Sequence, residues 1–119
     1  MWRTDVARYS GKDLSDEAFE MLGERFKALA EPMRLRLIYA LMDGERTVSE
    51  LVQETGALQA NVSKHLRMLL EEGIVGRRKQ GLNAYYRIAD PTIFELCDLM
   101  CGSIQDRLQA NLGGFSRSS

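Results

Sequence analysis

The two cysteines of this 119-residue chain lie four positions apart, in the segment ELCDLMC at residues 95–101. Side chains at that spacing share one face of a helix, with Cβ atoms about 5–6 Å apart. Two thiolates so placed could bind one soft metal ion or metalloid. Oxidation could also link Cys97 and Cys101 to each other or across to a second copy, although a disulfide inside a regular helix would distort the helix. Both cysteines are therefore candidate residues for sensing a thiol-directed inducer.

Two other interpretations of the cysteines stay open. Cysteine behaves as a small apolar residue, and Cys97 and Cys101 extend an apolar stripe with Ile93, Ile104 and Leu108. On that interpretation both thiols only pack, and the protein has no inducer site. A small thiol oxidoreductase is less favoured, because such enzymes use a C-x-x-C pair at a helix N-terminus. No paired carboxylates or Ser-His arrangement indicates another enzyme, so we expect no catalytic residues.

A second group of residues could bind a polyanion. Residues 61–87 contain six basic and two acidic side chains, a net charge of +4. Residues 1–60 and 88–119 carry net charges of −3 and −2, so the whole-chain charge of −1 hides the contrast. A basic segment within an otherwise acidic chain is what a nucleic-acid-binding surface requires.

Helical periodicity and capping signals predict four helices in the first 73 residues. They are expected at residues 15–30, 32–43, 47–56 and 58–73. The clearest start is TVSE at residues 47–50, a capping box in which each end satisfies a backbone donor of the other. The third and fourth helices are short and joined by a tight turn at Gly56, which is typical of a helix-turn-helix.

The rest of the chain predicts a β-hairpin and a last helix. IVGRRKQGLNAYYRI, residues 74–88, indicates two strands around a turn at QGLN, and the first strand is basic. Asp90-Pro91 then begins a fifth helix, expected to end near Gly113. The predicted fold is mainly α with a small β-hairpin wing, a winged helix-turn-helix. We expect a flexible arm at residues 1–13, one domain at residues 14–113 and a frayed tail at residues 114–119.

In a winged helix, the second helix of the pair enters the major groove and the wing reaches the flanking backbone or minor groove. Glutamine and asparagine amides can pair with adenine edges, and lysine and arginine can neutralise phosphates or reach guanine. The candidate DNA-binding residues are Gln59, Ala60, Asn61, Ser63, Lys64 and Arg67 on the fourth helix, and Arg77, Arg78, Lys79, Gln80 and Tyr85 in the hairpin. The lone His65 is interpreted as a structural group. The alternative, a solvated helix face beside an ordinary charged hairpin, does not explain why the helix pair, the basic patch and the hairpin coincide.

Two segments carry a family resemblance, FKALAEPMRLRLIYAL at residues 26–41 and NVSKHLRMLLEEGIVGRRKQGLNAYYRI at residues 61–88. They resemble the ArsR-type (arsenic-repressor-like) winged helix-turn-helix transcription regulators. The resemblance implies a homodimer built from the first and last helices. It further implies binding to a pseudo-palindromic operator in double-stranded DNA, with repression of transcription until an inducer acts.

The sequence departs from this family's pattern where inducers commonly bind. Many members have two cysteines at the start of the third helix, where this chain has Thr47 and Ser49, and hydroxyls are poor ligands for thiophilic ions. Other members use aspartate and histidine on the last helix, which here contains no histidine. Leu58 and Ala60 stand where relatives often have serines, so the operator sequence cannot be transferred. No cofactor is expected to be required, although a soft metal or metalloid remains possible.

The location of the protein is predicted from what its sequence lacks. The sequence contains no stretch of 18 apolar residues of the kind that could span a membrane, and the N-terminal segment lacks the apolar block of a secretion signal. We therefore expect a cytoplasmic protein with no membrane partner, in which the thiols are reduced.

Overall fold

The computed structural model describes residues 14–118, with side chains described through residue 111. Within that range the elements are α1 (Asp16–Leu29), α2 (Pro32–Leu41), β1 (Arg46–Thr47), α3 (Val48–Thr55), α4 (Gln59–Glu71), β2 (Val75–Gln80), β3 (Asn83–Ile88) and α5 (Pro91–Ser118). The predicted winged helix-turn-helix is confirmed. The predicted arm at residues 1–13 lies outside the described residues.

Hydrogen bonds at the helix ends confirm the predicted starts of α1 and α3. Ser15 Oγ accepts from the backbone N–H of Ala18 at 3.1 Å. Thr47 Oγ1 accepts from the Glu50 N–H at 3.2 Å, and Glu50 Oε1 accepts from the Thr47 N–H at 2.8 Å. Gly56 ends α3 with a φ of 72°, in the left-handed region that favours glycine. These local hydrogen bonds determine where the short helix α3, which packs against α4, begins and ends.

The sheet contains the predicted hairpin and one strand that the sequence did not predict. β2 and β3 pair antiparallel from Val75 opposite Ile88 to Gln80 opposite Asn83. The additional strand β1 pairs with β3, which places β3 in the middle of the sheet. A strand of two residues has no alternation that a sequence pattern could reveal. Its pairing joins the base of the wing to the start of α3.

One apolar core holds the helix-turn-helix against α2 and the hairpin. Its largest fully buried side chains come from α2, α3, α4 and the start of the hairpin: Leu37, Ile38, Leu41, Leu51, Val62, Leu66, Leu69, Ile74 and Val75. Burying one such side chain stabilises the fold by about 1.5–3 kcal/mol. The core therefore fixes the orientation of α4 relative to the wing.

The C-terminal end of α5 differs from the prediction. We expected the helix to end near Gly113, whereas α5 continues to Ser118. Glycine disfavours a helix interior by only about 1 kcal/mol relative to alanine, and no proline follows Gly113-Gly114 to end the helix. None of the helices within residues 14–118 is long and apolar enough to cross a membrane.

Candidate nucleic-acid interface

Helix α4 has a buried face and an exposed polar face. Val62, Leu66 and Leu69 have no exposed area. All of the predicted DNA-binding residues on this helix are exposed, namely Gln59, Ala60, Asn61, Ser63, Lys64 and Arg67. The first turn of α4 contains no acidic residue that would repel phosphates. The exposed face thus offers amide, hydroxyl and cationic groups of the kinds that contact base edges and phosphates.

The predicted wing residues divide between two faces of the hairpin. Successive residues of a strand point to opposite faces, so Arg77 and Lys79 lie on one face of β2, and Arg78 and Gln80 on the other. All four are exposed, and Tyr85 is half-buried. The structure therefore does not present these cations as one continuous surface.

Arg78 is already paired within the chain. Its Nε and Nη2 donate to the Glu45 carboxylate at 2.8–3.0 Å, and its Nη1 donates to Gln80 Oε1 at 2.6 Å. Its guanidinium also lies 4.7 Å from the centre of the Tyr85 ring. The hydrogen bonds from Arg78 lower the pKa of Glu45. Glu45 offsets the charge of this arginine, whereas no ion pair within the described residues involves Arg77 or Lys79.

His65 helps to hold α4 against α2. Arg34 Nε donates to His65 Nδ1 at 3.2 Å, and Arg34 Nη1 donates to the Ala28 carbonyl at 2.9 Å. Burial, followed by the charge of Arg34, lowers the pKa of His65. The imidazole is therefore neutral at pH 7 and accepts a hydrogen bond, which fits the structural interpretation of this residue.

Arg25 connects three elements near the end of α4. Its Nη1 donates to the Asp90 carboxylate, and its Nη2 donates to the Glu72 carbonyl at 3.1 Å. Asp90 Oδ1 also accepts from the Thr92 N–H at 3.0 Å in the first turn of α5, as its predicted capping position requires. Helix α1 is thereby attached to the C-terminal end of α4 and the N-terminal end of α5.

Helices α1 and α5 expose large apolar side chains. Each of these residues is between 44% and 75% exposed: Phe19, Met21, Leu22 and Phe26 on α1, and Leu99, Met100, Ile104 and Leu108 on α5. Apolar side chains gathered on a surface mark a site of protein interaction. These two helices therefore offer a surface for another protein chain.

The two cysteines lie in different environments. Cys97 is 6% exposed and joins the core with Ile93, whereas Cys101 is half-buried. Burial, followed by the proximity of Cys101, raises the pKa of Cys97. Interaction with the Cys101 side chain, together with burial, raises the pKa of Tyr39 on α2 to about 12. In the part of the chain that the structure describes, no cluster of three or more His, Cys, Asp or Glu side chains could hold a metal ion.

Two exposed leucines, one at the start of α4 and one in the turn of the wing, were not among the predicted DNA-binding residues. Leu58 is 75% exposed where α4 begins, and Leu82 at the tip of the wing is fully exposed. A sequence signal existed for each, because leucine is an unusual choice for a helix N-cap and for the turn of a hairpin. Glu45 was also missed, since nothing local links it to Arg78.

Sequence comparisons give the family. The family model "Bacterial regulatory protein, arsR family" matches residues 31–76. A probable mercury resistance operon repressor of Streptomyces lividans is 41% identical over 71 residues, which are 60% of this chain and 57% of that protein. The chain thus spans little more than half the length of that relative. An HTH-type transcriptional regulator of Mycobacterium tuberculosis is 36% identical over 83 residues, 69% of this chain and 73% of the relative.

Solved structures show the same fold. The AntR antimony-specific transcriptional repressor superposes with a TM-score of 0.75 and 30% identity, over 92% of this chain and 97% of that one. A homodimeric winged helix-turn-helix DNA-binding domain from Mycobacterium bovis gives a TM-score of 0.72 at 30% identity, over 82% and 93% of the two chains. The sequence matches, the shared fold and the exposed face of α4 agree: this chain belongs to the arsR family of bacterial regulatory proteins.

Proposed function

We propose that this protein is a homodimeric repressor of transcription that binds a pseudo-palindromic operator, with α4 in the major groove and the wing beside it. The division of α4 into a fully buried apolar face and an exposed polar face is the observation that carries this proposal. Membership in a family of regulators supports it over the thiol oxidoreductase alternative.

The exposed apolar surfaces of α1 and α5 support self-association through the first and last helices. The Mycobacterium bovis relative is described as a homodimer. A dimer with two-fold symmetry presents two copies of α4 to successive major grooves, with half-sites about 34–36 Å apart. Light scattering should give a dimer, and replacing exposed Leu99 and Leu108 with glutamate should give a monomer. A wild-type monomer would refute this part of the proposal.

The DNA-binding proposal is tested by titrating the protein against the DNA upstream of its own gene, at near-physiological salt. Binding no tighter than to random DNA would refute sequence-specific recognition. Replacing Lys64 and Arg67 with alanine should weaken binding and make the salt dependence shallower, by about 0.9 in the log–log slope for each phosphate that is no longer neutralised. Arg36→Ala is the matched control, because Arg36 is an exposed cation on α2, outside α4 and the wing.

We further propose that Cys97 and Cys101 form the inducer-sensing site, with Cys101 as the accessible member. Names of relatives that refer to mercury and antimony support a soft metal or metalloid as the signal. Two thiols on one helical face can both bind such an ion, and two more thiols could come from α5 of the second copy where the two chains meet. A peroxide would act differently: the two thiols would lose two electrons and two protons, form a disulfide and reduce the peroxide to water.

The sensing proposal is tested by measuring release from the operator with arsenite, cadmium, persulfide and peroxide. The wild-type protein is compared with the Cys97→Ser/Cys101→Ser variant. Release of the wild type alone would support sensing, and the reagent that acts would distinguish metal from oxidant. A double variant that responds normally would leave only the packing role of the cysteines.

A further inference from the structure

Leu58 occupies the N-cap of α4 without acting as a cap. Its backbone is extended, with φ −68° and ψ 145°, and no side chain among the described residues caps the first turn of the helix. Serine, threonine, aspartate and asparagine are favoured at this position because their oxygen accepts from a free backbone N–H, which leucine cannot do. The residue at this position thus weakens the start of α4.

Packing does not account for the leucine either. Leu58 is 75% exposed and does not belong to the core, whereas the preceding residue, Ala57, packs against the core. Burial is the usual benefit of a large apolar side chain, and Leu58 has little of it. A residue that breaks a local rule without a structural gain is expected at a functional site.

The position of Leu58 points to DNA. It directly precedes the exposed N-terminal turn of α4, which contains Gln59 and Asn61. The N-terminal residues of the helix that enters the major groove are those that contact base edges. The only apolar group that base pairs present in the major groove is the C5-methyl of thymine. We infer that Leu58 reads thymine in each half-site through contact with this methyl group. The inference rests on the proposed operator binding and adds a specificity-determining residue to it.

The test replaces each operator thymine in turn with uracil, which removes the methyl group and keeps the base-pairing groups. Wild-type affinity should fall about fourfold per half-site at one symmetric position, the value of burying one methyl-sized group. The Leu58→Ser variant should bind the thymine operator more weakly and be indifferent to uracil at that position. The Leu58→Met variant, which keeps an apolar side chain, should retain the preference for thymine. Comparing the wild type and Leu58→Ser on both thymine and uracil operators is a double-mutant cycle, and it isolates the interaction between the Leu58 side chain and the methyl group.

Thermal unfolding separates a weakened DNA interaction from a damaged fold. Serine at residue 58 can accept a backbone hydrogen bond, so the melting temperature of Leu58→Ser should equal or exceed that of the wild type. A wild type that binds its operator specifically but ignores every uracil replacement would overturn the inference and leave the proposed function standing. So would a Leu58→Ser variant as sensitive to uracil as the wild type. A wild type that prefers no operator would overturn the proposed function and the inference together.

Discussion

The N-terminal ends of α3 and α4 lie in the same helix-turn-helix and are built in opposite ways. Helix α3 begins with a complete capping box between Thr47 and Glu50. Helix α4 begins at an exposed leucine, Leu58, with no side-chain cap from the described part of the chain. The comparison indicates that side-chain hydrogen bonds stabilise the start of α3, while the start of α4 is left accessible to a binding partner.

Helix α4 is held in place by its middle rather than by its start. Its buried face enters the core through Val62, Leu66 and Leu69, and the Arg34–His65 hydrogen bond attaches it to α2. This arrangement leaves the first turn free to contact DNA without loosening the helix.

The largest expected effect comes from the anchored part of α4. Leu66→Ala should lower the free energy of unfolding by about 2–5 kcal/mol, because Leu66 has no exposed area and its truncation leaves a cavity. Leu58→Ala should change it by less than about 0.5 kcal/mol, as expected for an exposed site. Urea unfolding at one fixed chain concentration measures both. Similar decreases in the two variants would show that the start of α4 is also structural.

The next largest effect on the free energy of unfolding is expected from removing the N-cap of α3. Thr47→Ala should lower the free energy of unfolding by about 1 kcal/mol, because the N–H of Glu50 loses its acceptor. Ser49→Ala is the matched control, since Ser49 is an exposed residue in the same turn that takes no part in the capping box. Equal stability of Thr47→Ala and the wild type would contradict a stabilising role for the capping box.

Giving α4 a cap should separate stability from binding. Leu58→Asp should raise the free energy of unfolding by about 0.5–1 kcal/mol, because aspartate accepts from the first turn and its charge favours the N-terminus of a helix. The same variant should bind operator DNA more weakly, since its carboxylate would face phosphates. Leu58→Asn supplies a cap without the charge and so isolates the repulsion. Tighter operator binding by the aspartate variant would mean that the start of α4 does not face DNA.

The smallest effect is the pH dependence contributed by His65. Because its pKa is lowered in the folded state, the unfolded chain binds more protons as the pH falls through the ordinary histidine pKa of about 6.5, and stability therefore rises with pH through that region. Protonation of His65 removes the acceptor of Arg34 and adds a like charge beside the guanidinium. His65→Gln should unfold with a flatter dependence between pH 5.5 and about 7. A profile as steep as that of the wild type would assign the pH effect to other groups.

The sequence predicted what depends on neighbours along the chain. The capping box, the hairpin turn and the buried stripe of α4 follow from spacings of two to four residues, which determine these local structures directly. Pairings between distant residues, such as Arg78 with Glu45 and β1 with β3, have no such signature. For the same reason, the sequence placed both cysteines in one stripe but could not show that the Cys101 side chain helps to raise the pKa of Tyr39 on α2.

The hydrogen bonds of Arg25 have a mechanical consequence for an assembled pair of chains. The Arg25 guanidinium donates to the C-terminal end of α4, the helix proposed to bind DNA, and to the start of α5, the helix proposed to meet its copy. If α5 tilted relative to α5 of the second copy, both copies of α4 would therefore change orientation at the same time, because a single side chain connects the two helices within each chain. The angle at which the copies meet would itself set the distance between the two grooves that the protein can span.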